Sequence, residues 1–183
     1  MKQTIKLVRA PTMIQPGGYV PAAYPDAGPP LTPSAILMVD RNGPRGWIVH
    51  LAWPCAKPVD EIKSDTDRFA DAAALLAPVL EDTPMISMGA PDVPVEGVLW
   101  RADWAAPVKI VAEGFGTVAR HPAPAGWSAH GTWKDGVRTA RFEIPDWPAL
   151  AARKLLGIAI WQGAGRERAG LKSVCADWIP VTA

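Results

Sequence analysis

The sequence predicts a mainly β protein, an antiparallel β-sandwich with few short helices. Proline and glycine contribute 20 and 16 of the 183 residues, and a proline inside a helix costs about 3 kcal/mol. Short apolar runs are separated by turn residues, which is typical of strands. Helical segments do not alternate with these runs, so a parallel sheet is not expected.

Two hairpins are predicted most clearly. Segments 34–39 and 46–53 flank the turn-rich segment 40–45, and the Asp135-Gly136 pair follows a Trp-containing segment that leads into another apolar run. Asp-Gly between two such runs is a strong hairpin signal. With the two-residue period of a strand, alternate residues of 46–53 form one apolar face: Trp47, Val49, Leu51 and Trp53.

Further strands are expected at 97–104, 134–144 and 155–162, with a closing strand at 172–181. Segment 65–76 contains good helix formers, but its part 67–75 also fits a strand, so helix and strand both stay open.

The length fits a single domain. Residues 1–33 are predicted to form an extended Pro/Gly-rich N-terminal arm, of which 10–33 is the richest part, with strands beginning after it. Residues 34–183 then form the β-sandwich domain.

Charge and cysteine content exclude several classes of protein. Lys and Arg number 19 against 18 Asp and Glu, so no nucleic-acid partner is expected. No apolar run reaches the roughly 20 residues of a membrane span, and the N-terminus has no signal-peptide core. Cys55 and Cys175 lie in no CxxC pair, which excludes covalent c-type haem and a structural zinc site. A disulfide between them and two buried thiols are both possible.

No catalytic set is visible, so the chain is not expected to be an enzyme by itself. His50, His121 and His130 form no HExxH or HxH pattern, and no P-loop or GxSxG elbow is present. The GxG at 114–116 lacks a third glycine and a following helix, so we interpret it as a turn.

Five short motifs occur in a fixed order between about Ser34 and Ile179. They are DRFADA at 67–72, MGAP at 88–91, LWRADW at 99–104, GTWKDG at 131–136 and ERAGLK at 167–172. Together they resemble the haem b-binding gamma subunits of complex iron–sulfur molybdoenzymes, the group of ethylbenzene dehydrogenase, dimethylsulfide dehydrogenase and the chlorate and selenate reductases.

The resemblance implies that one noncovalent haem b is held by Met88 and Lys172 as axial ligands of its iron. Met85 lies close enough in sequence to replace Met88. A thioether favours ferrous iron and raises the potential, whereas a lysine amine binds metal only after losing its proton, which burial promotes. With no open coordination position, the iron would transfer electrons rather than bind substrate.

The residues around the iron are also predicted from their proximity to these motifs. Trp100 and Trp161 are expected to wall the haem. Arg168 is expected to bind its propionates, with Arg101 and Arg166 as alternatives.

By the same resemblance, the chain passes electrons between an iron–sulfur beta subunit and an external carrier such as a soluble cytochrome. A molybdopterin alpha subunit completes the heterotrimer, which is expected in the periplasm after co-export with a signal-bearing partner, or alternatively in the cytoplasm. Two other functions stay open: a haem-free β-sandwich of the carbohydrate-binding type, with tryptophans stacked on sugars, and a structural accessory subunit.

Overall fold

The protein is a sandwich of two antiparallel β-sheets, as predicted. The computed structural model describes residues 1–11, 29–62 and 69–182. In chain order, the strands in these ranges are β1 (Lys2–Lys6), β2 (Val8–Arg9), β3 (Ser34–Arg41), β4 (Trp47–Pro54), β5 (Ala72–Pro78), β6 (Val95–Arg101), β7 (Val108–Ala112), β8 (Ala119–Pro122), β9 (Ser128–Lys134), β10 (Val137–Ile144), β11 (Leu155–Trp161), β12 (Ser173–Val174) and β13 (Ile179–Pro180). The first sheet has the order β1-β3-β4-β10-β9, and the second has the order β2-β12-β11-β5-β6-β7-β8, with β13 paired to β11.

Helical structure is short, as the proline content predicts. Helix α1 spans Pro148–Arg153, with proline at its first turn and Lys154 in the left-handed conformation at its C-cap. Proline is tolerated at this position because the first N–H groups of a helix have no intrahelical partner. A single 3₁₀ turn, Gly163–Gly165, follows β11 in the part of the chain described. None of the helices in that part is long and apolar enough to cross a membrane.

Both predicted hairpins are confirmed. Strands β3 and β4 pair antiparallel around the turn at 42–46, and β9 and β10 pair around Asp135-Gly136. The predicted strands at 97–104, 134–144 and 155–162 correspond to β6, β10 and β11. Segment 172–181 forms two short strands, β12 and β13, instead of one closing strand.

The N-terminal region differs in part from its prediction. The expectation that strands begin only after residue 33 is wrong, because β1 pairs with β3 and β2 pairs with β12. Residues 12–28 of the predicted arm lie outside the described residues, and its boundary at 33 stays a prediction. In segment 65–76, the strand alternative is right from Ala72 onward, while 65–68 also lie outside the described residues.

Apolar side chains between the two sheets form the main core. On β4 the predicted face is fully buried, with 0 to 1% of each residue exposed. It continues on the neighbouring strands because cross-strand partners such as Leu37 and Leu51 share a face. The second sheet contributes Leu75, Val98, Trp100 and Ile158, all at most 4% exposed.

The second sheet is apolar on its outer face too. Every residue of β5 is buried, although only alternate residues can point towards the first sheet. In register, Ala72 opposes Arg101 and Ala74 opposes Leu99 on this outer face, while β11 adds Ala159 and Trp161. Since half of these side chains are alanines, the face is a shallow apolar floor that the loops above it do not completely fill.

Trp100 and Gly131 connect the two sheets through one close contact. A Cβ atom added at Gly131 would overlap the indole ring of Trp100. Gly131 lies opposite Ala140 on β10, whose side chain is completely buried. The glycine therefore makes room for the tryptophan ring in the core.

We expect Gly131→Ala to lower the free energy of unfolding by about 1 to 3 kcal/mol, because overpacking forces the ring and backbone to shift. Urea unfolding followed by tryptophan fluorescence measures this. Lys134→Ala, an exposed change on the same strand, should stay within about 0.5 kcal/mol of the original protein. Equal midpoints for both variants would show that the core accommodates the methyl group.

Candidate functional site

The principal cavity lies on the outer face of the second sheet and has a volume of about 300 Å³. That volume is at the lower end of the range for small-molecule sites. Its floor comes from β5, β6, β7 and β11, and its walls come from the loops after β11 and β7. Its lining is mainly apolar and includes Phe69, Ala72, Leu99, Ile110, Phe115, Val118 and Trp161.

Met88 enters the cavity from a tight turn whose backbone is strained. Met88 has φ +59° and Gly89 has φ +90°, and a non-glycine residue in the left-handed region is uncommon. The Met88 N–H donates to Met85 O at 3.0 Å, and the Met88 carbonyl accepts from Gly114 N–H at 3.0 Å. A Cβ at Gly89 would meet the Val93 carbonyl, which explains why glycine follows the methionine.

Lys172 enters the same cavity from the loop that precedes β12. In this loop Arg166 and Ala169 also have positive φ, +60° and +48°. The indole N–H of Trp161 donates to Ala169 O at 3.1 Å, and Ala10 N–H donates to Lys172 O at 2.9 Å. These bonds fix the loop on both sides of the lysine. Strained backbone concentrated at two loops that face one cavity is typical of functional sites.

The Met88 and Lys172 side chains meet inside the cavity. Lys172 Nζ lies 3.7 Å from Met88 Sδ and 5.3 Å from the centre of the Trp161 ring. Lys172 keeps some accessible surface, which opens on the cavity. Loss of solvation lowers the pKa of the Lys172 ammonium from 10.5 to about 8. The site therefore places a soft thioether beside an amine that loses its proton more easily than a solvated lysine does.

Met85, the alternative to Met88, lies deeper than the principal cavity. It is 8% exposed, and its sulfur and methyl group pack over Gly157. Met85 lines a smaller pocket of about 40 Å³ that adjoins the principal cavity. Its position is that of a core side chain. The Met88 sulfur, by contrast, lies 3.7 Å from the lysine amine.

Of the other predicted cofactor-binding residues, Trp161 and Arg168 line the cavity and Trp100 does not. Trp100 lies between Leu99 and Arg101 on β6, and both of these neighbours line the cavity. Because side chains alternate along a strand, Trp100 points into the core. Its ring packs there below the Arg138 guanidinium, whose Cζ is 5.1 Å from the ring centre.

The arginines at the cavity have different partners. Arg101 forms two bonds with Asp103, of 3.0 and 2.8 Å, and so its guanidinium is already paired. Arg166 does not line the cavity. Arg168 stacks on Phe69, with Cζ 4.6 Å from the ring centre.

Sequence reasoning missed Arg120 and its neighbours Phe115 and Val118, all of which line the cavity. Phe115 belongs to the segment interpreted only as a turn, whereas no element was predicted for Val118 and Arg120. The alternation of Val118 and Arg120 at a spacing of two was the available signal, since it places both on one face of a strand. Arg120 opposes Ile110 on β7, which lines the cavity as well.

Two buried carboxyl groups hold the loop that carries Arg168 and Lys172. Asp71 Oδ1 accepts the Gly163 N–H at 2.9 Å, and Glu167 Oε2 accepts the Gln162 N–H at 2.8 Å. Burial raises the pKa of Asp71, and it raises the pKa of Glu167 to about 7. Asp71 Oδ2 also accepts from the Val59 N–H at 3.2 Å and the Cys55 thiol at 3.7 Å. Loop and sheet are thereby joined by hydrogen bonds to carboxyl groups that are at most 6% exposed.

Other kinds of site receive no support from the described residues. They contain no group of three His, Cys, Asp or Glu that could hold a metal ion. Cys55 and Cys175 are both free and buried, and burial raises the pKa of each thiol to about 11. All nine tryptophans lie within the described ranges. Among them only Trp133 is exposed, at 41%.

The gamma subunit of chlorate reductase from Ideonella dechloratans is 33% identical to this chain over 138 residues. The chain belongs to the gamma-subunit family of this relative. The family membership predicted from the five motifs is therefore confirmed. The match covers 71% of this chain and 57% of the relative, so the chain spans little more than half of the relative's length. No protein-family model matches the chain.

In this gamma-subunit chain without ligand, we expect Lys172→Met to raise the free energy of unfolding by about 1 to 3 kcal/mol at pH 7, because it removes a charge that folding takes out of water. The folded state binds fewer protons than the unfolded state between pH 8 and 10.5. The advantage of the variant should therefore be greatest below about pH 8 and vanish as pH approaches 10.5.

Chemical unfolding of both proteins across this pH range gives the difference directly. Subtracting the two curves cancels the contributions of the other titrating groups. A difference that does not change with pH would contradict a buried, titrating Lys172.

Proposed function

We propose that this chain is the haem b-binding electron-transfer subunit of a molybdenum/iron–sulfur oxidoreductase complex, with Met88 and Lys172 as the axial ligands of one noncovalent haem. The observation that carries the proposal is the 3.7 Å approach of Lys172 Nζ to Met88 Sδ inside an apolar cavity. The resemblance implies these two residues, and the proximity of their side chains, although they are distant in sequence, supports the proposal.

The donor set fits a haem iron. A thioether and a deprotonated amine are both neutral donors that a haem iron accepts. The two donor atoms are 3.7 Å apart at the ends of long side chains, which could rotate to admit a metal ion between them. The apolar lining matches the faces of a tetrapyrrole, and the rim carries cations that suit its carboxylates.

When bound, haem supplies a centre for reversible one-electron transfer. The chain's own residues prepare the site for it. Lys172 gives up its proton readily because the cavity walls shield its ammonium from water, and Met88 needs no deprotonation. Phe115 and Trp161 add apolar surface beside the donor atoms.

The site does not suit catalysis on this chain. If Met88 and Lys172 both held the haem, they would leave no coordination position open to substrate. We propose instead that an iron–sulfur beta subunit and a molybdopterin alpha subunit form a complex with it, and that a soluble cytochrome or similar carrier exchanges electrons with it. The family resemblance supports a periplasmic complex.

The two other functions have weaker support. A sugar-binding platform needs several exposed tryptophans on one face, and the exposed Trp133 has no second exposed tryptophan among the described residues. A purely structural subunit gives no reason for a lysine amine to face a thioether in a buried cavity.

The purified chain supplied with haem should bind about one b-type haem and give a low-spin six-coordinate spectrum. Met88→Ala and Lys172→Ala should each lose this spectrum and most of the haem, because each removes one axial donor. Oxidised and dithionite-reduced absorption spectra, with a pyridine haemochrome assay, measure both effects.

Met85→Leu and Lys134→Ala are matched controls for these variants, since one alters the neighbouring methionine and the other an exposed lysine. Both should keep the six-coordinate spectrum. Unchanged spectra and haem content in the Met88 and Lys172 variants would refute the ligand assignment. Loss of the spectrum in Met85→Leu alone would assign the methionine ligand to Met85.

Ala72→Phe should abolish haem uptake by filling the floor of the cavity with a ring. Its apolar character suits the outer face of β5, so the fold should persist. Absorption titration with haemin and the urea midpoint separate these two effects. Full haem binding by this variant would mean that the ligand occupies another part of the molecule.

A further inference from the structure

Two arginines at the cavity rim, Arg120 and Arg168, have no carboxylate partner in residues 1–11, 29–62 and 69–182. Both line the cavity. Arg101, by contrast, is held in a forked pair by Asp103. Of the rim arginines, these two can therefore accept an anionic ligand without breaking an existing ion pair.

In the part of the chain that the structure describes, the contacts of Arg168 leave its hydrogen-bond donors free. Its guanidinium stacks over the Phe69 ring at 4.6 Å. Stacking uses the flat face of the group and leaves the N–H donors at its edge available for a carboxylate. The ring also limits the rotamers of the arginine, which lowers the entropy lost on binding.

Arg120 reaches the cavity from the other side. It lies on β8, the edge strand of the second sheet, whereas Arg168 belongs to the loop after β11. In the order of the sheet, β5, β6 and β7 lie between the two. The ligand that fits between them has an apolar body and two anionic groups on its outer edge.

We propose that Arg120 and Arg168 bind the two propionate carboxylates of the tetrapyrrole and so fix which edge of it faces the rim. This inference rests on the proposed haem-binding function and deepens it, because it assigns an orientation to the ligand and a role to Arg120. A carboxylate at the rim avoids burial of its charge, and each guanidinium can bind it with two hydrogen bonds.

The test compares haemin with haemin dimethyl ester, in which both propionates are uncharged. Each ligand is loaded onto the full chain, and its release to excess apomyoglobin is followed by absorbance. Arg120→Gln and Arg168→Gln should each speed haemin release about fivefold, and the double variant about 25-fold. Arg45→Gln, a remote arginine paired with Asp146, should release haemin at the original rate.

The ester identifies the group that the arginines recognise. The original protein should release the ester about as fast as the double variant releases haemin, and the arginine variants should release it no faster. Faster ester release in these variants would mean that the arginines support the fold rather than bind carboxylates, and would overturn the inference.

The outcomes also separate the two proposals. Six-coordinate haemin released at one rate from all variants would overturn the propionate assignment and leave the haem function standing. Failure of the original protein to bind either ligand would overturn both. Equal urea midpoints of the variants establish that the release rates compare equally folded proteins.

Discussion

The candidate site depends on a sheet that must be apolar on both faces. One face of the second sheet packs on the first sheet, and the other forms the cavity floor. Antiparallel sheets usually expose one face to water, yet all seven residues of β5 are buried. Alanines at positions 72 and 74 make this possible, because they shield the backbone while leaving space above it. Because these side chains are small, they leave a volume above the sheet that a ligand can fill.

The loops above this floor carry a cost that buried hydrogen bonds offset. Met88, Arg166 and Ala169 each adopt a left-handed conformation, at about 1 kcal/mol or more apiece. The Met88 turn is held by backbone bonds to Met85 and Gly114, while Asp71 and Glu167 hold the loop before Lys172. Both loops are therefore fixed before any ligand arrives. Pre-organisation of this kind reduces the entropy that binding would otherwise cost.

Sequence reasoning identified strands such as β4, β6 and β11 but could not separate helix from strand where β5 is buried on both faces. The period of two on β4 is visible because its buried tryptophan, valine and leucine side chains alternate with more exposed residues, among them His50. Segment 65–76 shows no alternation, since both faces of β5 need apolar residues, and this is why helix and strand could not be separated. Trp100 was assigned to the cavity from its place in a motif, but the face of β6 that it occupies follows from register with β5 and β7, which only the fold supplies. Arg120 was missed for a related reason: it reaches the cavity through the pairing of β8 with β7, and nothing in the linear sequence connects those strands to Met88 or Lys172.

The distribution of charge at the site fits the proposed electron transfer. The inner donors are a neutral thioether and an amine whose pKa of about 8 lies well below that of a solvated lysine, so once the amine has lost its proton neither donor would add charge near the iron. Arg120 and Arg168, which have no carboxylate partner among the described residues, lie at the rim, where water screens them and where two carboxylates would neutralise them. A ferric haem with two neutral axial donors would carry one net positive charge in this apolar site, and a ferrous haem would carry none. Because burial of charge is costly, the cavity would favour the reduced state, and the neutral donors would act in the same direction. The arrangement of these residues therefore suits a haem of relatively high potential that accepts electrons. The least buried edge of this haem, where its carboxylates meet the arginines, would lie at the rim.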